Sequence, residues 1–164
     1  MNTIEQLKNE LTAEYNTTKK FFNVFPEGKN DYAPHEKSMK LLPLAKHIAE
    51  VFGWPEIILA TSNLNFEDMP PQKLPADKAA LIKLLDDSYT AGKAALEKAT
   101  DPGLEPTWSI SMGQQKLQEW SKYGAIRHGL NQITHHRAQL GVYYRLLGIS
   151  VPGSYGPSAD QQGF

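Results

Sequence analysis

The chain has no cysteine among its 164 residues, which removes disulfides, thiolate metal ligands and a cysteine nucleophile. Any thiol chemistry would have to use a thiol carried by a substrate. Neither charge is in excess: 17 lysines and arginines stand against 18 aspartates and glutamates, a formal net charge of -1. The two signs are mixed along the chain, so there is no basic stripe for nucleic acid and no polybasic membrane anchor. No run approaches the roughly 18 apolar residues of a membrane span. The segment from Met1 to Glu10 is polar where a secretory signal would have an apolar core. These absences predict a cytoplasmic protein with neither a nucleic-acid nor a membrane partner. There is no internal repeat and no low-complexity tract, and the length fits one domain, residues 1–164, that buries a normal core without staples.

Helical periodicity is plentiful. Ile4, Leu7, Leu11, Tyr15, Thr18, Phe22 and Phe25 recur every three or four residues, predicting a first helix from about Thr3 to Phe22, with Pro26 and Gly28 stopping it. The segment from Glu27 to Ser38 reads as a connection across one end of a bundle. Leu41, Leu44, Ile48 and Val51 form the stripe of a second helix, in which Pro43 is tolerable because it lies in the first turn. His47 lies one turn from both Leu44 and Val51 and should face inward. Gly53, Trp54 and Pro55 interrupt this helix, with a short extension to about Thr61. The prolines at 70, 71 and 75 make residues 63–75 a loop. A third helix follows from Asp77 to near Thr100 on the stripe Leu81, Leu84, Leu85, Ser88, Gly92, Ala95 and Leu96.

From Thr107 to Trp120 the period changes. Trp108, Ile110 and Met112 alternate with Ser109 and Ser111, which is strand spacing, and Gly113 with Gln114 can supply a two-residue hairpin turn. The prediction is therefore one two-stranded hairpin, packed on the bundle between the third and fourth helices. Ser121 reads as the N-cap of the fourth.

The fourth helix carries the chemistry. Ile126, Leu130, Ile133, Leu140, Tyr144 and Leu147 form its core stripe, and Arg137 falls inside it, a cation that needs a carboxylate or carbonyls if buried. Gln132, His136 and Tyr143 line the edge of that stripe and point into the bundle. Tyr143 could reach a ligand or simply pack. His128, His135, Val142 and Leu146 share another, half-apolar face that looks outward, and this face predicts a homodimer. His35 lies in a connection whose course the sequence does not define.

The run Asn131-Gln132-Ile133-Thr134-His135-His136-Arg137-Ala138-Gln139-Leu140 resembles the last-helix motif of the DinB/YfiT-like family. Lys37, Ser38 and Met39 followed by Leu44, Ala45, His47, Ile48, Ala49, Glu50 and Trp54 resemble its second-helix signature, and residues 151–160 its C-terminal segment. The resemblance covers residues 21–160 in the same order. It implies an all-α, up-down-down-up four-helix bundle with a long crossover, usually dimeric, and a metal site with one histidine from helix two and two from helix four at i and i+4. By position the ligands are His47, Gln132 and His136, glutamine standing where the family has histidine. Such a site suits a divalent transition metal, zinc or nickel, and its binding should weaken below about pH 6 as imidazoles protonate. The activity implied is that of a metal-dependent hydrolase or low-molecular-weight-thiol S-transferase acting on a small molecule. The alternative, favoured by Gln132, is a non-catalytic dimeric bundle that binds a small ligand.

Overall fold

Asn2 accepts the Glu5 amide at 3.2 Å and starts α1 (Thr3–Asn23). In this computed structural model, residues 2–71 and 73–162 are described. Gln72, within the segment expected to be a loop, and Gly163 and Phe164, at the end of the tail, lie outside the described residues. The second predicted helix is two pieces, α2 (Leu41–Val51) and α3 (Trp54–Ala60), broken at Gly53. Asp77 caps α4 (Lys78–Lys98) by accepting the Ala80 amide at 2.7 Å. Ser121 does the same for α5 (Lys122–Leu146), accepting from Gly124 at 3.1 Å. Among the described residues no helix is long and apolar enough to cross a membrane.

Helix α1 packs on α4 and α5, and α2 packs on the same two, so α1 and α2 lie across the bundle from each other. Leu11, Phe22, Leu41, Ile48, Leu81, Leu85, Leu140 and Tyr144 fill the space between them and are all but inaccessible. Helix α3 lies against α4 and α5. The backbones come close at Gly92 of α4, where a Cβ would stand 2.1 Å from the Phe52 carbonyl oxygen at the α2–α3 break. On an open helix, replacing glycine with alanine stabilises by up to about 1 kcal/mol. Here Gly92→Ala must push α4 off its neighbour, and the expected outcome is a loss of about 1–3 kcal/mol, read as a lower thermal midpoint. An unchanged or raised midpoint would mean the two backbones do not meet there.

The sheet differs from expectation. It has three strands rather than two, because β1 (Asn63–Asn65), in the segment expected to be a loop, pairs in parallel with β2 (Thr107–Met112), which pairs antiparallel with β3 (Gln115–Ser121). Three residues are too few to display a period. What holds β1 in place is its side chains: the Asn63 amide donates to Ser109 O and Oγ at 3.2 and 3.0 Å, and Asn65 Oδ1 accepts the Gly113 amide at 2.9 Å. Gly113 makes the hairpin turn with φ at 57°, where a side chain would be strained.

Candidate functional site

Two helices bring the predicted residues together. His47 comes from the middle of α2 and His136 from the middle of α5, and their ring centroids lie 4.8 Å apart with the planes at 80°. Gln132, one turn before His136, places Oε1 2.8 Å from His136 Nε2. Gln139, three residues after it, places Oε1 2.9 Å from Nδ1. Each glutamine spends its other end on a further imidazole: Gln132 Nε2 lies 3.4 Å from His128 Nε2, and Gln139 Nε2 lies 3.2 Å from His135 Nε2. His136 is therefore clasped by two carbonyl oxygens. A neutral imidazole has one N–H to offer, and with either glutamine amide turned about its end one ring nitrogen donates and the other accepts, so the two glutamines can satisfy both ring nitrogens. Two imidazoles and an amide oxygen are donors of the kind a divalent metal accepts, the amide being a poorer ligand than imidazole for zinc or nickel. Among the described residues no three His, Asp or Glu side chains gather into a metal cluster.

Burial, the nearby His136 and then Lys46 push the His47 pKa down to about 4. The ring is neutral at ordinary pH, as a metal ligand must be. Beside it opens a groove of about 490 Å³, walled by Trp54, Ile57, Leu64, Phe66 and Met69, with Glu50 and Asp87 at its rim. Both carboxylates are paired, Glu50 with Lys46 at 2.5 Å and Asp87 with Lys83 at 2.6 Å.

Other residues settle into structural roles. Arg137 is 2% exposed and meets Glu14 Oε2 at 2.6 Å, donates to Thr18 Oγ1 at 3.1 Å, and donates to the Tyr155 hydroxyl at 2.9 Å. Tyr155 in turn donates to Glu14 Oε1 at 2.7 Å and ties the C-terminal segment to the bundle. Tyr143 donates to the Met39 carbonyl at 3.0 Å, which leaves it a packing residue. His35 is exposed and accepts the Lys37 amide at 3.1 Å.

His128 corrects the expectation of an outward position. The sheet laps over the first turns of α5, and His128 is half-buried with its ring 4.8 Å from Trp120 and 6.3 Å from Trp54. Burial lowers its pKa. His135, Val142 and Leu146 are exposed as expected. Sequence reasoning also missed Gln139. Its spacing, three after His136 and four after His135, is the signal that could have found it.

Known proteins resemble this chain along nearly its whole length. The uncharacterized protein YrdA of Bacillus subtilis is 23% identical over 163 residues, 97% of this chain and 92% of that protein. The DinB-like protein YjoA of B. subtilis has a crystal structure that superimposes with a TM-score of 0.71 at 21% identity, covering 96% of this chain and 99% of that one. YfiT of B. subtilis, described as a probable metal-dependent hydrolase with an unusual four-helix bundle topology, superimposes with a TM-score of 0.67 at 14% identity over 90% of this chain and 89% of its own. At these identities the superpositions establish the fold. The family model described as DinB family matches residues 1–162, and the chain belongs to the DinB family.

Proposed function

We propose that the protein is a metal-dependent enzyme acting on a small molecule, of the hydrolase or low-molecular-weight-thiol S-transferase type. The observation that carries this reading is the meeting of His47 and His136 from different helices, their ring centroids 4.8 Å apart, with His47 lining a groove. YfiT, of the same fold, is described as a probable metal-dependent hydrolase, which supports the coarser part. His47, Gln132 and His136 would hold a divalent ion, zinc or nickel. Such an ion supplies Lewis acidity, making water or a thiol ionise near neutral pH. The protein's own contribution is orientation: Gln139 fixes the His136 ring from behind, burial keeps His47 neutral, and Trp54, 6.1 Å from His47, walls the reactant side.

The rival is a non-catalytic bundle with a degenerate metal site, and Gln132 is what favours it. Elemental analysis of protein purified without an affinity tag or chelator, followed by hydrolysis and thiol-transfer assays with and without added zinc or nickel, separates the two. The enzyme reading expects bound metal and a metal-dependent rate. Metal-free protein with no rate above background would leave the rival.

The helix order we propose is up-down-down-up, consistent with α1 and α2 lying across the bundle from each other. A cytoplasmic homodimer belongs to the same reading, supported by Val142 and Leu146, 58% and 60% exposed on α5. Sedimentation at micromolar concentration should give twice 18.3 kDa, and Val142→Glu with Leu146→Glu should halve it. A native species of 18.3 kDa would end the proposal.

A further inference from the structure

Resting on the small-molecule reading above, we propose that a narrow slot between the sheet, α3 and α5 takes the apolar end of an uncharged compound whose remainder lies in the groove beside His47. The chain has three tryptophans, and all three line this slot. Trp108 and Trp120 stand with centroids 6.4 Å apart at 25°, and Trp54 and Trp120 bracket His128. The Trp108 N–H is spent on Thr61 Oγ1 at 3.0 Å, so the ring offers only hydrocarbon to the space. Phe66 and Ile57 complete the mouth. The slot is not a separate cavity, since Trp54, Ile57, Leu64 and Phe66 line both it and the groove.

Size and charge narrow the ligand. The free volume of about 40 Å³ has room for about three water-sized spheres, which suits the edge of a ring or a branched alkyl end but not a whole substrate. The body of the ligand must lie in the 490 Å³ groove. The mouth carries Ile57 and Phe66, 36% and 38% exposed, and Met69 follows them in the groove at 38%, an apolar cluster that water covers badly. No lysine or arginine lines slot or groove, whereas Glu50, Glu56 and Asp87 do line the groove. With Glu50 and Asp87 each matched by a lysine, Glu56 is the groove carboxylate left unmatched among the described residues, and in the metal-free chain an anionic ligand would meet it without a cation to pair with.

Titration of the full chain with benzyl alcohol, followed by tryptophan emission, tests this directly because every emitter lines the site. A saturable change is expected, with benzoate at least tenfold weaker. Ile57→Asp, at a partly exposed position that leaves the core intact, should weaken benzyl alcohol at least tenfold, with a thermal melt verifying that the variant is folded. Binding should be the same with a chelator present, so this outcome stands or falls apart from the metal reading. No saturable change in the native chain, equal affinity for benzoate, or undiminished binding by folded Ile57→Asp would overturn the proposal.

Discussion

Gln132→His is expected to raise the affinity for zinc or nickel at least tenfold, about 1.4 kcal/mol or more. The substitution puts a nitrogen donor where an amide oxygen now stands 2.8 Å from His136 Nε2, with the His47 ring 4.8 Å from that of His136. His47→Ala in that background should remove most of the gain and most of the binding. The pH dependence carries its own signature. The expectation from free imidazoles is loss below about pH 6, but His47 is held down to about 4 by burial, His136 and Lys46, so its share of the binding should persist to lower pH. The same shift acts on stability. Because the folded pKa lies below the ordinary 6.5, the unfolded chain takes up the proton first, and stability should fall as the pH drops from 6.5 toward 4. A competitive chelator titration of the native protein and both variants at two pH values measures the binding. Equal affinities in all three would mean that these side chains do not share an ion.

Arg137→Leu is the substitution expected to cost most in stability. It strands the Glu14 carboxylate, itself 6% exposed, beside a lost cation. Breaking a buried pair from one side typically costs about 3–5 kcal/mol. For a chain of this size the thermal midpoint should fall by roughly 6–20 °C. Adding Glu14→Leu removes the stranded charge and should recover most of the loss, since a buried ion pair and its apolar replacement are often near equal. A single variant that melts within about 2 °C of native would mean that water reaches Glu14, and a double variant no better than the single would mean that Arg137 acts through Thr18 and Tyr155 instead.

The helices were legible because their stripes run over ten or more residues, and the cap at Ser121 and the turn at Gly113 follow from residue type alone, whereas the cap at Asp77 is seen only in the structure. Legibility failed where a contact crosses between elements. Glu14, three residues after Leu11 and four before Thr18, lies on the core face of α1, and what makes a carboxylate tenable there is Arg137 approaching from α5. His128 read as outward because the helix was considered without the sheet that covers it. The strand at Asn63–Asn65 is specified by asparagine side chains reaching β2 and its turn, a signal with no period. For the site, periodicity showed that His47 and His136 both face inward. That they face each other followed from the family resemblance, and what clasps them, Gln139 behind and Trp54 in front, emerged only from the folded geometry.

The asymmetry of the sheet bears on solubility during folding and storage. A sheet of few strands attached to a bundle has two open edges, each a template for another chain. One edge here is β1, three residues long, too short to recruit a partner strand. The other is β3, which carries the Lys116–Glu119 ion pair and is bulged at Leu117 because Ile110 pairs with Gln118 but Ser111 with Lys116. Charge and a broken register together spoil an edge for pairing. The parallel strand thus covers the β2 edge that an isolated hairpin would have left bare, and the free strand is the one least able to nucleate aggregation.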